Sequence, residues 1–495
     1  MSKIKDKIVQ KEIGLKYNFE KLLVFKKPFA ILLIMYMIGI WAIIRANFYY
    51  IDDMGRSNWG YRSYEPFSRY LSNFLSVFVH GGKHMTDVSP LTQLLAMALI
   101  AVAGIIILYT VTKKEQFKFI ELIALIPLGL SPYFLECISY KFDCVYMCLS
   151  VLAMIFPILF YEKNKILYLI VTILSTIAMC TTYQASSGIF PMFVAFICLQ
   201  KWINKEKLKE ILKFIGISAT GYVAGLLIFR KFIMQTYYDY SSTALPAAES
   251  FVDIVIRNYK TFFEYIISDF KSEWLLLIGI ICIAFIIATV LKSERNKLLT
   301  IPISIIILGI MLLLSFGAYA FLDDPMYQPR AMYGFGVFIT FAMLQIMTMP
   351  RMYLSKTVCI ALCWLFVSFA FTYGNALYVQ GMYTDFRITE AVDDLKDIDA
   401  IKDGEVYLQV NGSIGYAPTI ARMPQDFQML NRLVPITFRG PEYVWGRFGI
   451  INYYGLYNVA QNPYTDLSTL NLPMVVDNKY HTIYADDKHV LIELK

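Results

Sequence analysis

Two adjacent carboxylates, Asp52 and Asp53, stand in the hydrophilic segment Tyr49-Tyr50-Ile51-Asp52-Asp53-Met54-Gly55-Arg56-Ser57, just past a long apolar run. Paired acids repel each other, and beside a bilayer each loses solvation. Such a pair therefore calls for a cationic partner, a ligand or work as a proton acceptor. The plain alternative is a solvated loop start that only marks the water boundary. Acids and cations recur in later connections: Asp87 in Thr86-Asp87-Val88-Ser89-Pro90, then Glu136, Lys141 and Asp143, then Tyr183-Gln184, then Asp323-Asp324-Pro325 with Gln328-Pro329-Arg330. A carboxylate beside one or two cations at headgroup depth suits a reaction on a lipid-linked phosphosugar. The acid takes the proton of an incoming hydroxyl, and Arg or Lys stabilises the departing phosphate. A guanidinium binds phosphate in a bidentate way, and one well-placed donor is worth ~3 kcal/mol in the transition state. Arg56, Lys141 and Arg330 are the candidate cations. For Lys141 and Arg330 the equal alternative is neutralisation of a sequence neighbour, Asp143 and Asp324 respectively. Asp87 alone reads best as a helix cap, with Ser89 as the other capping choice and Pro90 in the first turn.

The elements that must position these residues are membrane-spanning helices. Hydrophobic residues make up 57% of the 495, charged residues 17%, and 36 Tyr with 36 Phe supply material for interfacial belts. Apolar runs near 28–48, 91–111, 119–135, 144–161, 166–182, 188–203, 212–233, 274–291, 298–321, 332–349 and 357–376 predict about eleven transmembrane helices. The net charge of +7 comes from Lys and Arg gathered in alternate connections and ahead of the first run, the pattern of topology signals, and leaves no nucleic-acid footprint. Residues 1–27 are thereby expected to be cytoplasmic. The first outer loop is then 49–90, and 377–495 is extracytoplasmic. Within that loop, Tyr70 to Phe78 is gently amphipathic and expected along the interface.

Residues 377–495 read as a small α/β accessory module: a helix over Arg387 to Leu395, strands at Glu405 to Val410 and Leu472 to Val476, and a hairpin from Tyr480 to Leu494 turning at Asp486-Asp487. The module carries no nucleophile elbow, phosphate loop or metal-spaced cluster, so its expected role is to hold an acceptor or cover the membrane site. All eight cysteines lie in or beside apolar runs, which implies helix packing rather than a disulfide framework or zinc site. Gly334-Phe335-Gly336 reads as close helix packing, since no strand precedes it.

Taken in order, Asp52-Asp53-x-Gly55-Arg56-Ser57 with Gly60-Tyr61, Asp87-x-Ser89-Pro90-Leu91, Ser131-Pro132-Tyr133-Phe134-Leu135-Glu136 running into Ser139-Tyr140-Lys141-Phe142-Asp143, and Tyr183-Gln184-Ala185 resemble the membrane glucosyltransferases that decorate bacterial O-antigen during serotype conversion. The likeness covers most of 45–200. It implies a GT-C-like catalytic domain over 28–376 and transfer of glucose from undecaprenyl-phosphate glucose to a glycan on the outer face of the membrane. Asp52 or Asp53 would be the base, with Arg56, Asp87, Glu136, Lys141, Asp143, Tyr183, Gln184 and Arg330 around the substrates. It also implies the lipid bilayer as setting, a flippase and a polyprenyl-phosphate glucosyl synthase as partners, and no cofactor. Where the family has Gly-Arg-Pro, this chain has Tyr64-Glu65-Pro66, which moves that arginine's contact to Arg62 or Arg69. Leu433-Val434-Pro435 and Trp445 are looser matches. Lys-, Asn- and Ile-rich usage admits teichoic acid or wall polysaccharide as the acceptor. Cationic side chains suffice for a monophosphate leaving group. A divalent metal held by Asp52, Asp53 and Asp87 is the alternative that a chelator would reveal. From other classes, a flippase or transporter of lipid-linked sugars, or a glycan polymerase or ligase, would also need interfacial cations and many spans.

Overall fold

A computed structural model describes residues 23–235, 250–398, 401, 406–425, 427–440, 455, 459–460 and 466–495. Residues 1–22 of the expected cytoplasmic segment, and Trp445, lie outside them. The described chain is a helical bundle capped at one end by a small sheet. Among the described residues, seven helices are long and apolar enough to cross a membrane: Leu23–Ala46, Leu91–Thr112, Gln184–Ile203, Leu208–Ile233, Ser272–Lys292, Lys297–Leu314 and Tyr353–Leu395. An eighth crossing results if Phe119–Leu130 and Pro132–Ser139, bent by 60°, form one span. The expected eleven is not reached by length. Cys144–Phe160, Lys165–Cys180 and Gly334–Met347 fall on the remaining apolar runs but have only 17, 16 and 14 residues. At 1.5 Å per residue they measure about 21–26 Å, short of the ~30 Å hydrocarbon core.

Helix surfaces have the apolar exterior of a membrane protein. Along Ser272–Lys292, Leu276, Ile280, Ile283, Ile287 and Leu291 form an exposed stripe at helical spacing, while Ile278, Ile281, Phe285 and Ala288 turn inward. The short helix Tyr70–Val79 exposes Phe74 and Phe78 and buries Ser72 and Ser76, an inside-out pattern that suits a bilayer interface. The chain is a polytopic helical membrane protein. Gly334 and Gly336 sit where the Gly334–Met347 helix meets its neighbours. A Cβ on Gly334 would strike the Ser315 carbonyl, and one on Gly336 would lie 2.7 Å from the Pro127 carbonyl, which is the close packing expected there.

Tyr353–Leu395 runs 43 residues without a break, across residues 376 and 377. That is about 65 Å of helix, twice the hydrocarbon thickness. Its far end carries the sheet: β1 (Val406–Asn411), β2 (Val459–Ala460), β3 (Met474–Asp477), β4 (His481–Ala485) and β5 (His489–Leu494), in the order β2-β1-β5-β4-β3. β1 pairs in parallel with β2 and β5, and β4 pairs antiparallel with both β3 and β5. Ile388, Ala391 and Leu395 of the helix share a core with Val406, Leu408, Val410, Ile483, Val490 and Ile492. Arg387 donates to the Tyr480 and Lys495 carbonyls at 2.6 and 2.9 Å, tying strand ends to the helix. A second part of this region behaves differently: Ala417, Ile420, Met429, Leu430, Leu433 and Val434 belong to the core of the bundle itself.

Candidate active site

The acid pair occupies a tight turn at the end of the bundle that carries the sheet. Asp52 immediately precedes the helix Asp53–Trp59, whose first turn it shares with Asp53. The two carboxylates have opposite environments. Asp53 is fully buried; its Oδ2 accepts the backbone amides of Tyr50 and Lys141 at 3.1 and 2.9 Å, and Oδ1 accepts that of Phe142 at 3.4 Å. It therefore stitches the first loop to the Tyr140–Asp143 turn. Burial pushes its carboxyl up to about 8, against the pull of the Lys141 amide. Asp52 is partly exposed; its carbonyl accepts the Arg56 amide, but its carboxylate has no hydrogen-bond or ion-pair partner among the described residues. Burial raises its pKa as well, opposed by Arg56, reinforced by Asp143, and opposed again by Arg330 and Arg69. Those groups identify the charges that face it.

Each expected cation is held by a carboxylate from elsewhere in the fold rather than by the sequence neighbour. Arg56 pairs with Asp143 at 3.1 Å, and the Tyr64 hydroxyl bridges them, accepting from Arg56 at 2.7 Å and donating to Asp143 at 2.6 Å. Lys141 pairs with Asp87 at 3.0 Å, donates to Asn47 Oδ1 at 2.6 Å and lies 4.1 Å from the centre of the Tyr49 ring. Arg330 reaches Glu136 through its Nη1 at 2.5 Å and its own amide at 2.7 Å. The capping role expected of Asp87 and Ser89 is not found. Helix Leu91–Thr112 begins after Pro90 with no side-chain cap, and Asp87 instead accepts from the Ser89 amide and hydroxyl and from Lys141. Burial works upward on Asp87, but those bonds outweigh it and hold the carboxyl below its usual range.

Tyr183 is buried, and its hydroxyl donates to the Arg330 carbonyl at 3.2 Å. Gln184 donates to the Cys180 and Phe67 carbonyls, which links the fifth apolar run to the first loop. The fold thus brings Asp52, Arg56, Asp143, Tyr183 and Arg330 into one charged cluster, while Lys141 and Asp87 form a second pair adjoining the Asp53 turn. Arg69 completes the cluster. Its guanidinium lies 5.0 Å from the ring centres of both Phe67 and Tyr183, its Nε is buried without a partner, and it has no ion pair among the described residues. Arg62 donates instead to the Asn73 carbonyl at 3.2 Å. Tyr64, Asn47 and Tyr50 were invisible to spacing arguments because their partners lie far along the chain. A buried cluster of acids and arginines facing one unpaired carboxyl can accept a proton and bind an anion in the same space.

Residues 41–341 match the family described as Glucosyl transferase GtrII. The chain belongs to that family. The match encloses every candidate residue from Asp52 to Arg330 and stops before the 43-residue helix and its sheet. As a member of the GtrII family the chain is a membrane glucosyltransferase, in agreement with the resemblance carried by its motifs. It is 24% identical over 414 residues, 78% of this chain and 82% of the relative, to an uncharacterised 55.3 kDa protein encoded in the gtrB 5′ region of Salmonella phage P22. No solved structure matches it.

Proposed function

We propose that this GtrII-family protein moves a glucosyl residue from undecaprenyl-phosphate glucose to a cell-surface glycan on the outer face of a bacterial cell membrane, with O-antigen as the acceptor. In this reading all eleven apolar segments are embedded, the N-terminus is cytoplasmic and the sheet is extracytoplasmic. The Asp52 carboxyl carries the assignment: it alone of the acid pair is unengaged, it is raised in basicity by burial, and arginines face it.

The acceptor hydroxyl gives its proton to Asp52 while its oxygen attacks the anomeric carbon of glucose. The bond from that carbon to the phosphate oxygen breaks, and its electron pair leaves with undecaprenyl phosphate. Asp53 shapes the turn rather than reacting. Of the cluster's arginines, Arg69 has no carboxylate partner among the described residues, so it meets the phosphate first, with the rest of the Arg330 fork beside it. Arg56 and Asp143 set the field around Asp52, and Lys141 with Asp87 supports the turn from behind. A base whose basicity burial raises and cations beside it for the leaving phosphate together supply the two terms such a displacement needs.

The test is transfer of labelled glucose from undecaprenyl-phosphate glucose by the purified protein in proteoliposomes, offered O-antigen, teichoic acid or wall polysaccharide. Label on a glycan supports the reading and identifies the acceptor. Donor that crosses the bilayer intact, with no label on any glycan, replaces it with a flippase.

A further inference from the structure

The region after the sheet's first strand packs into the bundle through Ala417 and Ile420 and again at the turn Leu430–Leu433, and that turn touches both walls of the charged cluster. The Leu433 carbonyl accepts the hydroxyls of Tyr50 at 2.8 Å and Tyr373 at 3.2 Å, and Tyr373 in turn shares a 2.7 Å hydrogen bond with Ser139. Tyr50 is the residue whose amide holds Asp53, and it lies two positions before Asp52. On the opposite wall Arg432 forms an ion pair with Asp269, whose carboxylate also accepts the Tyr133 hydroxyl at 2.8 Å. Arg432 also donates to the carbonyl of Tyr327, three residues before Arg330, and its guanidinium lies 3.8 Å from the centre of the Tyr265 ring. Between the walls, the Tyr50 ring meets Tyr140 edge to face at 4.8 Å, and the Arg330 guanidinium stands 5.3 Å from the same Tyr140 ring.

These bonds add nothing to the sheet, whose core is separate. Leu430, Leu433 and Val434 are buried in the bundle. A largely buried ion pair such as Arg432–Asp269 is a poor source of stability but a good way to specify one arrangement. We propose that the Leu430–Leu433 turn is a positioning element for catalysis. It sets the Asp52 loop through Tyr50 and the Arg330 segment through Arg432, so that base and phosphate site keep one spacing. The Glu136–Arg330 ion pair already ties the Arg330 segment to the helix that leads into Tyr140, and the turn adds a second polar tie that reaches the Asp52 loop directly through Tyr50; small displacements of reacting groups carry large rate penalties.

The proposal rests on the transferase reading above, so wild-type donor cleavage is measured first. In the full-length protein, Tyr50→Phe removes one hydroxyl and keeps the ring. It is expected to lower kcat by ~10-fold, with donor KM changed by less than about two-fold, and to displace the acid limb of the pH–rate profile because Asp52 has shifted among its charges. Arg432→Gln is expected to act in the same direction and more strongly, with partial rescue in Arg432→Lys. Wild-type kcat and an unmoved acid limb in folded Tyr50→Phe would overturn the proposal and leave the transferase reading intact. Should Arg432→Gln fail to fold, Tyr50→Phe alone decides. Absence of donor cleavage by the wild type defeats both.

Discussion

Replacing each member of the acid pair by asparagine separates the structural carboxylate from the chemical one. In Asp53→Asn, one oxygen and one NH2 must face three backbone amides. If the oxygen keeps the Tyr50 and Lys141 amides, the NH2 confronts the Phe142 amide; if the group is flipped, two amides lose their acceptor. One or two buried N–H groups without acceptors cost about 1–3 kcal/mol each, so the turn should be destabilised by about 1–6 kcal/mol. Asp52→Asn removes no hydrogen bond among the described residues and should change stability by less than about 0.5 kcal/mol. Its kcat should instead fall by ~10²–10⁴-fold, the usual contribution of a general base. Thermal inactivation in detergent and donor turnover, measured on both variants, distinguish the two losses. A stable Asp53→Asn that is inactive, together with an active Asp52→Asn, would refute the assignment and make Asp53 the base.

Three further outcomes follow from the same geometry. The reaction needs Asp52 ionised, so kcat/KM should fall as pH drops through its pKa, with the acid limb above the ~4 of a free aspartate because burial raises that pKa. Arg69 lowers the same pKa. A pH–rate profile of Arg69→Gln should therefore show the limb moved further up, together with a weaker donor KM. Glu136→Gln leaves the Arg330 guanidinium without its carboxylate, and inactivation should come earlier in a thermal ramp, by less than the ~3–5 kcal/mol of a fully buried pair because Arg330 is one-fifth exposed. Exhaustive chelation should leave turnover unchanged, since the phosphate is met by arginine; recovery that depends on added divalent metal would contradict this.

Much of the fold could be read from the chain. All eleven apolar runs are helical, and the hairpin around Asp486-Asp487 forms between β4 and β5. Span length was the weak point: hydropathy marks Gly334 to Met347 as apolar but does not say that this helix is only 14 residues long and wholly enclosed by others. The acid pair and its arginine were legible because they are adjacent in sequence. Their partners were not. Glu136 and Arg330 are separated by 194 positions, and Arg56 and Asp143 by 87, so nearest-neighbour pairing gave Lys141 and Arg330 the wrong carboxylates. The different fates of Asp52 and Asp53 depend on amides contributed by the Lys141-Phe142 turn, which no periodicity reports. The turn at Leu430–Leu433 carries only an ordinary Leu-Asn-Arg-Leu sequence, and its importance arises from where the long helix delivers it.

The claim at the centre of this account is that Asp52 takes the acceptor proton while arginines hold the phosphate. It is tested most directly by following undecaprenyl phosphate released from undecaprenyl-phosphate glucose at saturating acceptor, with donor binding measured separately, for wild type and Asp52→Asn. The account predicts steady release by the wild type, and by Asp52→Asn a near-complete loss of release with donor affinity retained. Equal release rates for the two proteins would contradict it.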